Sequence, residues 1–389
     1  MPPRTLETGS FRTLELTYIP AFDGVRGLAI IAVLLHNLSK MGSAPPLALT
    51  ATFEWGWMGV QLFFVLSGFL ITRILLEMRQ MPGALSAFMA RRALRIMPLY
   101  YAALVVYFLI APRLFDAPTI DAASPHQIWY WLYLSNWVEP LGIGAPGLNH
   151  LWSLAVEAQF YLGWPFIVLV LAERQFMRVC VVIVAVSLAF GVGLRLTASA
   201  SALAVYKFTV TRMSAPAIGG LAAFIARRGA WRRAFARSAS PIIGGLGAAL
   251  VAIVVWRAGF SHEDVVVQTF GFPIVAGLFA AWLLVIVCEL PLLGGAPISW
   301  PSAAFLRAAG RVSYGMYVFH YPLHWAAMKP LHAFIVGAGG TGANVRLGVY
   351  VTFASIATYV LAWFSWRFFE RPILALKNHF QAGRPVPGP

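Results

Sequence analysis

Ten apolar stretches in this chain are long enough to cross a lipid bilayer as helices: near 22–39, 57–77, 96–112, 151–172, 178–196, 206–226, 241–257, 268–288, 309–331 and 347–368. Inside a hydrocarbon layer every backbone N–H and C=O must find its partner within the protein, which leaves helices as the solution for such runs. The connections between them support the same count. Arg73, Arg79, Arg91, Arg92 and Arg95 crowd the second link, Arg174 and Arg178 the fourth, and RRGAWRRAFAR the sixth, while Arg367, Arg371 and Lys377 follow the last run. The alternate loops are poor in cations: 113–150 holds Asp116, Asp121 and Glu139 against one arginine, and 258–267 holds Glu263 and Asp264. Under the positive-inside rule this alternation predicts ten spans with both termini in the cytoplasm.

Only 11% of the 389 residues are charged and 60% are hydrophobic, whereas a soluble domain carries about 25% charged residues. The expected fold is therefore all-α, a polytopic membrane protein of the cytoplasmic (inner) membrane. The net charge of +15 reads as loop topology and gives no reason to expect nucleic acid. Cys180 and Cys288 sit in apolar runs, against a disulfide framework or a thiolate metal site. No fixed-period repeat and no long linker appears. The organisation expected is a cytoplasmic segment over 1–21, one transmembrane domain over 22–372, and a cytoplasmic tail over 373–389.

Polar residues within the apolar runs mark where chemistry can occur, because a charge inside a membrane helix costs several kcal/mol and usually faces the protein interior. The first run, FDGVRGLAIIAVLLH, carries Arg26 and His36. Their separation corresponds to about 15 Å along a helix, on neighbouring faces. Ser67-Gly68 in the second run is a small pair that admits either a packed helix or a ligand. Arg91, Arg92 and Arg95 suit ordinary membrane-surface topology, and equally the phosphates of a nucleotide through bidentate contacts. Ser153, Glu157 and Tyr161, spaced at four, share one helix face. Glu157 is a functional candidate, with a structural ion pair as the alternative. GRVSYGMYVFHYPLHW supplies Ser313, Tyr314, His320 and His324. The two histidines are one turn apart, but no HExxH pattern accompanies them, His324 is expected at the outer aromatic interface, and no metal is expected. Trp129, Tyr130, Trp131, Tyr133 and Trp137 read as an interfacial aromatic belt or, alternatively, as a sugar-stacking platform.

Seven of these segments occur in an order that resembles the membrane-bound acyltransferase-3 family: FDGVRGLAIIAVLLHN, GVQLFFVLSGFLITRIL, FMARRALRIMPLYY, HLWSLAVEAQFYLGWP, TRMSAPAIGGLAAFI, GRVSYGMYVFHYPL and FFERPI. The resemblance implies a ten-span O-acyltransferase that moves an acyl group, usually acetyl from acetyl-CoA, to a hydroxyl. The family's essential arginine and histidine correspond to Arg26 and His36, here with nine intervening residues where ten is common. In the TRMS motif Ser214 follows Arg212 where relatives often carry an acid, which points to a different acceptor or geometry. Larger relatives append an extracytoplasmic esterase-like domain, and none is expected here.

The expected mechanism places the acyl-CoA phosphates on Arg91, Arg92 and Arg95, with His36 as general base and Glu157 orienting it. Arg26 serves the CoA moiety or the oxyanion. Direct transfer is the simpler course, and a covalent relay on His36 or Ser67 is the variant. The acceptor stays open among an exopolysaccharide unit, a lipid-linked sugar and a glycosylated metabolite, and so does the oligomeric state. Two other classes compete. Buried Arg, His and Glu in ten spans also describe a proton-coupled transporter, although no inverted repeat is evident. An inactive scaffold would be expected to have lost Arg26, His36 or Glu157.

Overall fold

The computed structural model describes residues 18–41, 48–114, 120, 124–138, 140–144, 146–197, 201–290, 300–336, 342–380 and 383. The segment 1–17, the loop acids Asp116, Asp121 and Glu139, and most of the tail beyond 380 lie outside these residues. The described chain is helical and contains no strand. The principal helices are α1 (Pro20–Ser39), α2 (Met58–Met78), α3 (Ala84–Val105), α4 (Trp152–Val170), α5 (Glu173–Thr197), α6 (Ser214–Arg227), α7 (Gly229–Arg257), α8 (Phe272–Val287), α9 (Ala304–Arg311), α10 (Ser313–Leu323) and α11 (Ala343–Ser365).

Nine helices among the described residues are long and apolar enough to cross a membrane. The protein is a multi-pass membrane protein. The ninth run, 309–331, forms no single long helix. It is divided into α9, α10, a π-helical turn over His324–Met328 and a short helix over Lys329–Val336. Pro322 is one cause: lacking an N–H, it cannot bond the Val318 carbonyl one turn before, and the helix widens just after it. The third run also differs from expectation. Its helix starts at Ala84, behind Gly83 in the left-handed conformation. Arg91, Arg92 and Arg95 therefore lie two to three turns inside α3.

Burial separates the helices into a centre and a rim. The apolar windows of the first two spans are 67% and 72% buried, against 11% for those of α5 and α7. α1 and α2 thus form the core, and α5 and α7 present apolar faces outward, as lipid contact requires. Two glycine contacts set the core's geometry. At the crossing of α1 with α9, a Cβ on Gly24 would lie 1.5 Å from the Pro301 carbonyl oxygen, and one on Gly310 would lie 1.7 Å from that of Asp23. At the crossing of α2 with α6, a Cβ on Gly68 would lie 2.0 Å from the Pro216 carbonyl oxygen and one on Gly219 2.0 Å from that of Val65. Without strong hydrophobic pressure between helices in lipid, such backbone approach is a main source of association. Gly68 is a packing residue.

Candidate active site

Three cavities follow one another along α1. The first, about 350 Å³, opens where α1 begins. Arg26, Arg73, Arg91, Arg92, Arg95 and Lys377 line it, with Asp23 as the one acidic lining residue among the described residues. Asp23 accepts a hydrogen bond from Arg26 at 3.0 Å and another from the Tyr18 hydroxyl. Arg73 bonds Glu77 one turn on. Arg91 donates to the Phe380 carbonyl at 2.7 Å, which ties the C-terminal turn to α3. The cavity is strongly electropositive and suited to a polyanion.

The second cavity is smaller, about 80 Å³, and shares Arg26, Leu70, Arg92 and Arg95 with the first. Ser67, Ser153, Glu157, Tyr161, Ser313, Tyr314 and Tyr317 line the rest of its polar wall. Glu157 accepts from Ser67 at 2.7 Å and from the Tyr161 hydroxyl. The Arg92 guanidinium lies 5.2 Å above the Tyr161 ring, a cation–π contact of the kind that orients a guanidinium over an aromatic face. The Tyr314 hydroxyl donates to the Ile96 carbonyl at 2.7 Å and that of Ser313 to Gly310 at 2.9 Å. These two hold α10 against α3 and α9.

The third cavity, about 260 Å³, lies where α1 ends and contains His36, Asn37, Lys40, His150, Lys207 and His262 among aromatic walls. His36 Nδ1 is 3.1 Å from the Phe53 carbonyl. A carbonyl only accepts, so Nδ1 carries the proton and Nε2 is left with its lone pair. The His262 ring stands edge-on to His36 at 5.9 Å. Burial, reinforced by His36, Lys40 and Arg212, holds His262 down to about 3 and therefore neutral. Burial likewise brings Lys207 down to about 7. Glu54 pairs with Lys40 at 2.7 Å and lies 4.0 Å from His262.

The neighbouring histidines are fixed by the same logic. His320 donates from Nδ1 to the Tyr317 carbonyl at 2.6 Å, so its Nε2 accepts from Asn37 at 3.0 Å. His150 Nε2 reaches the Val318 carbonyl at 3.2 Å, the acceptor that Pro322 leaves open. The Tyr317 hydroxyl donates to the His150 carbonyl at 2.8 Å and accepts from Ser153 at 2.6 Å.

The structure thus distributes the expected residues over three chambers. Arg26 and His36 share α1 but line different cavities. Glu157 is bonded to Ser67 and Tyr161, so it does not orient His36, whose ring is held by a backbone carbonyl. Arg212 lines none of the three. Its guanidinium is caged by Phe64, Trp152, Tyr206 and Phe272, with ring centroids 4.6–5.7 Å away, and it donates to Gln61 at 2.7 Å. His320 and His324 have different partners: His324 is buried against Tyr350. Of the 129–137 aromatics, Tyr130 and Tyr133 are buried, Trp129 and Trp131 half-buried and Trp137 exposed, with Tyr133 stacked on Tyr100 at 4.1 Å and Trp131 on Tyr101 at 6.0 Å. These two contacts use ring faces that a sugar would need. No group of three or more metal-ligating side chains occurs among the described residues.

A family model described as an acyltransferase domain matches residues 19–367. The chain belongs to the acyltransferase-3 family. Among curated relatives, the peptidoglycan O-acetyltransferase OatA of Listeria monocytogenes is 36% identical over 167 residues, 39% of this chain and 24% of the relative. The O-acetyltransferase OatA of Staphylococcus aureus is 27% identical over 388 residues, 95% of this chain and 60% of the relative. The chain therefore spans less than two thirds of the length of these relatives. No solved structure matches it.

For an acyltransferase-3 protein, several lining residues escape a reading of the sequence alone. Asp23 carried a legible signal, three residues before Arg26 on the same helix. Lys40, one turn after His36, was legible in the same way, whereas His262, and Glu54 that pairs with Lys40, carried none, since they reach the end of α1 from other segments of the chain.

Proposed function

We propose that this protein is a membrane-bound O-acyltransferase that takes an acetyl group from acetyl-CoA and esterifies a hydroxyl of a cell-surface carbohydrate. The observation that carries this reading is the succession of chambers. A cation-lined cavity at one end of the bundle adjoins a small inner cavity, which in turn adjoins the cavity of His36. Arg91, Arg92, Arg95 and Lys377 offer four positive charges for the phosphates of CoA. The name of the Listeria monocytogenes relative, a peptidoglycan O-acetyltransferase, supplies the carbohydrate acceptor class.

The chemistry follows from the tautomer of His36. An acceptor hydroxyl in the third cavity attacks the thioester carbonyl as Nε2 takes its proton, forming a C–O bond. The tetrahedral intermediate then collapses with loss of the C–S bond, and the proton passes from the imidazolium to the departing thiolate. The Phe53 carbonyl holds the ring, and Glu54, 4.0 Å from the neighbouring His262, adds negative potential near the imidazolium. Arg26 binds the donor from the wall between the first two chambers. In this reading the arginine-rich end and both termini face the cytoplasm, and the protein resides in the cytoplasmic membrane.

The test is release of CoA thiol and transfer of radiolabelled acetyl to cell-wall glycan by the purified protein in nanodiscs, with His36→Ala beside it. Base-labile label in the glycan that depends on His36 supports the reading. Absence of thiol release, label and acetyl-CoA binding overturns it, and moves the proton-coupled transporter forward.

A further inference from the structure

Part of the His36 cavity is built by two short segments outside the principal helices. Leu203, Tyr206 and Lys207 come from the short helix Ala202–Lys207, and His262 and Glu263 from the loop between α7 and α8. A site carried on such segments keeps its geometry only where other side chains fix their backbone.

One side chain ties both segments. Gln268 is buried in the π-helical turn that leads into α8. Its Nε2 donates to the Ala202 carbonyl and to the His262 carbonyl, each at 2.8 Å. Carbonyls only accept, so the amide is fixed with Oε1 turned the other way, where it accepts from Arg195 of α5 at 3.1 Å. The same nitrogen of Arg195 donates to the Glu263 carbonyl at 2.8 Å. Two consecutive carbonyls of the loop, at His262 and Glu263, are thus held by Gln268 and Arg195. Asp264 secures the next residues: it pairs with Arg257 at 2.7 Å and accepts from the N–H groups of Val266 and Val267. Held this way, the His262 ring lies 4.6 Å from Tyr206 and edge-on to His36 at 5.9 Å. An arginine in the last turn of a lipid-facing helix can reach water at little cost, but this one is turned onto the loop.

We infer that Gln268 and Arg195 are positioning residues for the acceptor, holding the two segments that shape the His36 cavity. This inference rests on the acyltransferase reading, in which the acceptor hydroxyl is activated in that cavity. Neither residue lines any of the three cavities, so both act through the backbone they hold. A shift of about 1 Å in such a wall can cost about a hundredfold in rate. The cation-lined cavity shares none of these bonds, and donor binding should not feel their loss.

The experiment follows thiol release by the full-length protein in nanodiscs, with acetyl-CoA saturating and soluble cell-wall glycan fragments varied, and measures acetyl-CoA binding separately. Gln268→Glu keeps the length of the side chain and the acceptor for Arg195 but removes both N–H donors. It should raise the half-saturating glycan concentration about fivefold or more, as the loss of a buried hydrogen bond does. The dissociation constant of acetyl-CoA should stay within about twofold, as for independent sites. Arg195→Lys keeps the charge and changes the geometry of its two bonds. It should shift the glycan concentration in the same direction, and decides the matter if the first variant fails to fold. A plain structural role would lower kcat through the folded fraction and leave the half-saturating glycan concentration unmoved. That result, wild-type kinetics in a folded variant, or a parallel loss of acetyl-CoA affinity overturns the positioning role alone. Absence of thiol release from the wild type overturns the acyltransferase reading beneath it.

Discussion

Glu157 accepts the Ser67 hydroxyl at 2.7 Å across the contact of α2 with α4, and the Tyr161 hydroxyl completes the cluster from one turn further along α4. Arg92 sits over the Tyr161 ring. The carboxylate therefore fixes a wall that presents a cation to the inner cavity, which His36 does not line. Glu157→Gln keeps the shape and removes the charge. It should raise the half-saturating acyl-CoA concentration several-fold with a smaller change in kcat. A fall in kcat at unchanged KM would return Glu157 to the chemical step.

Replacing His36 by Ala should lower transfer by at least about a hundredfold, the usual loss for a general base. Thermal unfolding in detergent should change little, because the hydrogen bonding of the ring is to backbone, at Phe53 and Glu54. Activity within tenfold of the wild type would exclude the base role.

The arginines of the first cavity should not be equivalent. Arg92 and Arg95 line both the first and second chambers, whereas Arg91 lines only the first and is already engaged by Phe380. Arg92→Gln and Arg95→Gln should weaken acetyl-CoA binding more than Arg91→Gln, and flatten its salt dependence. Binding isotherms at low and high ionic strength give the ranking, and equal losses at the three positions would contradict it.

His262 makes acid sensitivity predictable. Its folded-state value of about 3 lies below the ordinary histidine value of 6.5, so between these limits the unfolded chain binds the extra proton. Stability is therefore undiminished above about pH 6.5 and falls as pH drops toward 3. His262→Gln should shallow this decline. Parallel melting curves for the two proteins across pH 4–7 would show that another group causes it.

Gly68→Val places methyl groups where the Pro216 carbonyl already is. Overpacking of this kind costs about 1–3 kcal/mol or more, and should lower the unfolding temperature and the yield of inserted protein. Gly163, with open space around its Cβ position, is the matched control for substitution by Ala.

Much of the fold was legible because its cause is local. Apolar run length and the basic and acidic loops depend on near neighbours in sequence, as does the face shared by Glu157 and Tyr161. The resemblance to the acyltransferase-3 family rests on such segments too. The broken ninth run was less legible, since the apolar count over 309–331 hides what Pro322 does to a helix. The partners of the polar groups could not be read at all. His36 meets a carbonyl from a helix end beyond a loop, and Arg212 is caged by rings from four different segments. Such contacts arise only when helices distant in sequence choose a crossing point, which the sequence encodes in glycines whose counterparts it does not identify.

The crossing of α1 with α9 has a mechanical consequence. Gly24 and Gly27 clamp α1 beside Arg26, while His36 lies about 15 Å further along the same rod. Gly59 presses on the same helix at Ala29, and Gly56 at Ala32 and His36. α1 is therefore a rod pinned at both ends of its polar stretch, so a bilayer that tilts it must move α2 and α9 with it and carries Arg26 and His36 together.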